Sequence, residues 1–193
     1  KSTTPPPGLF ERRMLGPLIC KGPRVYGLEY GLDEGLVEQV ITYSNSESDK
    51  DLREATSDKE RFKDFDAYTQ WYKKGRFPFG FTDERGILAS LIWYGPAQPP
   101  MLNNQGRPEP DQKWDTIAFR SYPPFRGQGL MRAFVDAVLR RHASDRPDHN
   151  MWLSVKAENM RAQELYRSLG FVPKSIPPNS GEIFMSLSKK GAE

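Results

Sequence analysis

Between Thr116 and Leu139 the chain runs from an apolar, strand-like segment through Pro123 and Pro124 into Arg126-Gly127-Gln128-Gly129, and then into helical spacing. A glycine turn that opens a helix points several main-chain N–H groups one way with no side chain between them. The helix dipole adds about 0.3–1 kcal/mol of attraction for an anion at an exposed site. That is chemistry for gripping phosphate, and it offsets the conformational cost of glycine at a helix start. Taken alone, the pattern fits a plain turn as well. A second candidate segment is Glu158–Phe171, ENMRAQELYRSLGF. Asn159 has the side-chain oxygen to cap a helix, Gly170 can take the left-handed conformation at its end, and Phe171 can fold back on the last turn. Within such a helix Tyr166 reads simply as a core or boundary tyrosine.

The elements around these segments follow from apolar spacing. Residues 1–23 are rich in proline and glycine and read as a tail that wraps the surface or stays loose. Arg24–Gly31 reads as a first strand. Ser44–Asp66 is polar and charged, the pattern of a solvated loop feeding a surface helix. Phe62, Phe65, Tyr68/Thr69 and Tyr72 share helical spacing, with Gly75 as the stop. FPFGF and GILASLIWYG, joined by Thr82–Gly86, predict an antiparallel hairpin. Pro96–Gln112 is a long loop. Next come a strand over Trp114–Tyr122 and a helix carrying Leu130, Ala133/Phe134 and Ala137/Val138 on one face. A strand with Met151, Leu153 and Val155 alternating, the Asn159 helix, and two last strands complete the order β, helical region, β-hairpin, β, α, β, α, β, β. This is a mixed sheet with helices on both faces.

Composition narrows the classes. At 193 residues the chain has the length of one domain, expected over 24–190, and its net charge of +3 is too small to argue for nucleic acid. Cys20 has no partner for an internal disulfide, which fits a reducing compartment such as the cytoplasm. No apolar run is long enough for a bilayer, and the first residues lack a secretory pattern. His142 and His149 have no Cys or acidic cluster at ligand spacing, so no metal is expected.

With FRGQG at Phe125–Gly129 one strand upstream of Asn159, Ala162, Leu165, Tyr166, Leu169, Gly170 and Phe171, the sequence resembles the GNAT superfamily of acetyl-CoA-dependent N-acetyltransferases. The resemblance is firm over about Trp114–Ser188 and looser over Phe77–Gly95. It implies a GNAT-like, mostly antiparallel mixed sheet with a central V-shaped splay between strands. Acetyl-CoA would be the acyl donor, an amine the acceptor, and neither metal, nucleic acid nor membrane a partner, while a homodimer stays open. Carried over by position, Arg126, Gly127, Gln128, Gly129, Leu130, Met131 and Arg132 would cradle the diphosphate. Phe119, Arg120 and Ser121, freed at a strand edge before the prolines, would pair with the pantetheine arm. Asn159 would bind the same arm, and Tyr166 would lie near the thioester sulfur and protonate the leaving thiolate. Met131 departs from the small residue usual at its place. Asp115 matches a position where some relatives carry a basic glutamate, and Ser154 stands where others do; Glu29, Asp83 and Glu84 stay open as bases. Trp71, Tyr72, Trp93 and Tyr94 are candidates to line an acceptor pocket. The alternative is a non-catalytic acyl-CoA-binding or regulatory domain of the same fold.

Overall fold

The computed structural model describes residues 4–19, 24–100, 112–174 and 181–187. Their elements are β1 (Arg13–Ile19), β2 (Val25–Tyr30), α1 (Glu34–Ser44), α2 (Lys50–Ala55), α3 (Asp58–Arg61), α4 (Phe65–Tyr72), β3 (Phe77–Thr82) and β4 (Leu88–Pro96). There follow β5 (Lys113–Ser121), a 3-10 turn (Pro123–Phe125), α5 (Met131–Asp145), β6 (His149–Lys156), α6 (Met160–Ser168), β7 (Val172–Lys174) and β8 (Glu182–Leu187). The strands form a hydrogen-bonded sheet in the order β1-β2-β3-β4-β5-β6-β8-β7. β1 and β2, β2 and β3, β6 and β8, and β7 and β8 pair antiparallel, whereas β5 and β6 pair parallel. The expected mixed, mostly antiparallel sheet is therefore the one found. By compactness the chain divides into two units, Lys1–Trp93 with Phe119–Val138, and Tyr94–Ala118 with Leu139–Glu193.

In the first unit the core is aromatic. Phe81 on β3 stacks on Phe134 of α5 with ring centroids 4.1 Å apart, and Tyr26 on β2 meets the same ring edge-on at 5.2 Å. Phe62, Tyr68, Trp71 and Trp93 form a second cluster. Its inward face differs from the expected one. α4 begins only at Phe65, capped by Asp64, whose Oδ1 accepts the Ala67 N–H. The phase then buries Tyr68 and Trp71 and leaves Phe65 40% exposed. The hairpin turn is as expected: Asp83 N–H donates to the Ile87 carbonyl, and Gly86 N–H to that of Asp83.

Two other expectations for this unit are corrected. Part of the supposed tail is strand β1, an edge strand whose register slips between Met14 and Gly16. Pro17 is tolerated there because an edge has a side without ladder partners. Gly31 lets this segment pass close, since a Cβ on it would stand 2.3 Å from the Glu11 carbonyl oxygen. Ser44–Asp66 is not a loop: it holds α2 and α3, and Asp49, Leu52 and Asp58 within it are buried.

In the second unit β6 buries Met151, Leu153 and Val155, as their alternation predicts. Its parallel ladder with β5 runs from Lys113↔His149 to Thr116↔Trp152 and ends there, although β6 continues to Lys156. α6 has the expected ends. Asn159 Oδ1 accepts the Ala162 N–H at 3.1 Å, Gly170 has φ 96°, and Phe171 N–H returns to the Tyr166 carbonyl. Cys20, residues 101–111 of the expected Pro96–Gln112 loop and residues 175–180 of the last turn lie outside the described residues.

Candidate active site

In the first unit β5 carries Phe119, Arg120 and Ser121, the two prolines close it with the 3-10 turn, and Arg126–Leu130 lead into α5. Gly127 and Gly129 have φ of 74° and 73°, where an L side chain is strained, and a Cβ on either would meet nothing within 4 Å. Gly127, Gln128 and Gly129 are exposed. The bond that opens α5 runs from the Phe134 N–H to the Leu130 carbonyl. The preceding main-chain N–H groups at this helix start are thus the ones a helix leaves without an internal acceptor. An exposed, side-chain-free turn at the start of a 15-residue helix fits a diphosphate.

Arg126 belongs to the turn but does not present its side chain to a ligand, which corrects its expected role. Its Nε donates to the Ser121 carbonyl at 2.7 Å, and its two terminal nitrogens donate to the two carboxylate oxygens of Asp49 at 2.9 and 2.7 Å. Asp49 also caps α2 by accepting the Leu52 N–H. The hydrogen bond from Arg126 holds the Asp49 carboxyl below its ordinary range, against the opposing effect of burial. Arg126 therefore fixes the turn from behind.

Arg120 is used in the same way. Its guanidinium grips Asp58 of α3 at 2.5 and 2.9 Å, donates to the Phe119 carbonyl, and lies 4.9 Å over the Trp93 ring. Asp58, whose side chain is 1% exposed, also accepts from Arg61 at 2.6 Å. Buried Ser90 stands 2.7 Å from the Arg120 carbonyl and 3.6 Å from the Met131 sulfur. The Met131 thioether is thus directed at Ser90, and its bulk is kept out of the glycine turn. Gln128 donates to the Pro124 carbonyl and accepts from Arg24. Arg132 is exposed on the first turn of α5, and Leu130 is buried.

The second unit holds Asp115, Asn159 and Tyr166. Asp115 is corrected as the expected base. It is fully buried, with Oδ2 2.8 Å from His142 Nε2 and 2.6 Å from Arg146 Nε, and Oδ1 2.9 Å from Arg146 Nη2. Burial alone would raise its pKa, but the hydrogen bonds from His142 and Arg146 outweigh it and hold the carboxyl below its ordinary range. A carboxylate so committed ties the start of β5 to the end of α5 and is a poor proton acceptor. Tyr94 meets the His142 ring edge-on at 4.8 Å. Asn159 is exposed, its amide nitrogen without an acceptor among the described residues. Tyr166 is 7% exposed on α6, with its ring 6.3 Å from that of Phe171.

Of the other base candidates, Glu29 is buried and raised by that burial, which Arg12 only partly offsets. Asp83 instead pairs with Arg85 and accepts the Arg85 and Ile87 N–H groups within its own turn. The residues that sequence reasoning missed are Asp49, Asp58, Ser90, His142 and Arg146. Their one available signal was acidic residues at helix starts, at Asp49 and Asp58.

The sequence profile of the Acetyltransferase (GNAT) family matches residues 42–171, so the chain belongs to that family. Its members transfer an acetyl group from acetyl-CoA. No curated protein matches the chain. Among solved structures, the spermidine N-acetyltransferase from Vibrio cholerae in complex with CoA and spermine is similar at 17% identity and a TM-score of 0.60, over 83% of this chain and 92% of that one. A chimera of Vibrio cholerae SpeG and hSSAT gives 18% identity and a TM-score of 0.59, over 84% and 94%. The GNAT domain of S. lividans PAT gives 14% identity and a TM-score of 0.58, over 84% and 90%.

Proposed function

We propose that this chain acetylates a primary amine by direct attack of the amine on the thioester of acetyl-CoA, both substrates being bound together. The observation that carries this reading is the exposed glycine turn at the start of α5, with open space where side chains would stand. We assign the main-chain N–H groups of Gly127 to Arg132 to the diphosphate, and the main chain of Phe119, Arg120 and Ser121, with Asn159, to the pantetheine arm. Arg120 and Arg126 act behind this surface through Asp58 and Asp49. Tyr166 donates its phenolic proton to the departing thiolate as the C–S bond breaks and the amide C–N bond forms. A free primary amine has a pKa of about 10, so the acceptor must shed a proton first. Asp115 being committed elsewhere, that proton passes to solvent, and the second proton, which nitrogen loses as the amide forms, restores the Tyr166 phenol.

The amine-binding neighbours support an amine acceptor, and the spermine complex supports CoA as the donor. Among the described residues no helix is long and apolar enough to cross a membrane. We take the enzyme to work in the cytoplasm without nucleic acid or membrane, as a monomer or homodimer. The test is release of free CoA thiol from acetyl-CoA with a panel of primary amines. Acetyl-CoA binding without thiol release on any amine would sink the catalytic reading, and absence of binding would sink the site.

A further inference from the structure

Arg76 stands between α4 and β3 and is half-buried. Its Nε is sealed from solvent with no hydrogen-bond partner among the described residues. Its charged neighbour is Arg61, of the same sign; burial first and then Arg61 depress its pKa. The other partly buried arginines of this region reach a carboxylate: Arg53 pairs with Glu47, Arg61 and Arg120 with Asp58, and Arg126 with Asp49. Arg120 on the donor strand and Arg61 share the Asp58 carboxylate, and Arg76 feels the charge of Arg61 with no carboxylate of its own among the described residues. The Trp93 ring lies 4.9 and 5.5 Å from Arg120 and Arg61.

Arg76 also lines a pocket of about 220 Å³, with Lys73, Tyr72, Tyr30, Phe77 and Pro7. Among the described residues no acidic one lines it, and the Tyr72 hydroxyl is already donated to the Pro7 carbonyl. The space is below the ~300 Å³ at which drug-sized ligand pockets begin, and suits an acid group with a few carbons attached. A half-buried guanidinium with one nitrogen sealed and unpaired is costly, and a carboxylate or phosphate would supply a paired, charge-assisted contact.

We propose that Arg76, with Lys73, binds a carboxylate or phosphate group carried by the acceptor amine, so that the acceptor is an acidic amine rather than a polycation. This rests on the acetyltransferase reading for the acceptor's role but not for the anion site itself. A polyamine would meet the surplus of like charge along Arg120, Arg61 and Arg76.

The anion site is tested without catalysis. The full chain is melted in sodium phosphate and in sodium chloride of equal ionic strength, as wild type, Arg76→Gln and Lys73→Gln. Phosphate is expected to raise the melting temperature of the wild type, and both variants should lose part of that rise. Lys73 is exposed, so its variant keeps the fold even where Arg76→Gln does not. Equal responses in all three proteins would overturn the site. The acceptor's role is tested by initial rates with β-alanine against propylamine and with O-phosphoethanolamine against ethylamine. Each acidic member should have a KM lower by about tenfold or more, and Arg76→Gln should raise it by about tenfold while leaving kcat and the neutral amines within about twofold. A phosphate response that depends on Arg76, joined to equal KM values within each pair, would overturn the acceptor assignment and make the anion a separate effector. Absence of any transfer would refute the enzyme reading and leave the melting result standing.

Discussion

Replacing Asp49 by asparagine removes a charge and little else. Asparagine caps a helix about as well as aspartate, so the bond to the Leu52 N–H survives while the two-pronged contact with Arg126 is broken. Removing one partner of a buried ion pair costs about 3–5 kcal/mol. The Asp49 side chain is 3% exposed but that of Arg126 is 32% exposed, so solvent recovers part of the loss. We expect about 1.5–3 kcal/mol. For a chain of this size that lowers the melting temperature by about 4–10 °C. Arg126 keeps its bond to the Ser121 carbonyl, so the glycine turn loosens without collapsing. CoA affinity should then weaken about three- to tenfold, a cost of about 0.7–1.4 kcal/mol. The assays are thermal unfolding and calorimetric titration with CoA, with Asp51→Asn on the exposed side of α2 as the control. A variant within about 0.5 kcal/mol of wild type and binding CoA equally would refute the claim that this pair braces the turn.

Gly129→Ala should cost about 1 kcal/mol of stability through its positive φ but retain CoA binding, because a Cβ there faces open space; Gly129→Asp, which adds charge at the phosphate position, should abolish binding in the same titration. Tyr166→Phe should lower kcat about 100-fold or more while the KM for acetyl-CoA stays within about twofold, and an unchanged kcat would remove it as the proton donor. Asp115→Asn should destabilise the fold by about 3 kcal/mol, read by urea unfolding, since it removes the buried charge that Arg146 and His142 both contact. Asp49 and Asp115 both have folded pKa values below their ordinary 3.8, so their stabilisation is complete above that value and is lost as pH falls through the lowered one; acid unfolding should set in below about pH 4, and a variant lacking both carboxylates should show a flatter profile.

The elements that carry their own local pattern were legible in the sequence. The β3–β4 hairpin announces itself by its Asp/Gly turn, α6 by Asn159 and Gly170, and the glycine turn by spacing that nothing else in the chain repeats. What escaped depends on partners far along the chain. Asp49 and Asp58 read as solvated charges because the arginines that neutralise them stand 77 and 62 residues downstream. Asp115 likewise read as a candidate base, since His142 and Arg146, which commit it, lie 27 and 31 residues away. β1 escaped for a different reason. Its bulge breaks the alternation, its proline argues against a ladder, and only its position at an edge reconciles the two. α1 had a usable signal in Asp33 followed by Leu36, Val37 and Val40, but the expectation went no further than a helical region there.

The two aspartate–arginine clasps mean that the stretch from Asp49 to Arg61 is not a detachable module. Anyone retargeting this enzyme by transplanting that stretch from another acetyltransferase would have to import both acids with it, or else rewrite positions 120 and 126. Otherwise two orphaned cations would be left inside the protein, directly behind the donor strand.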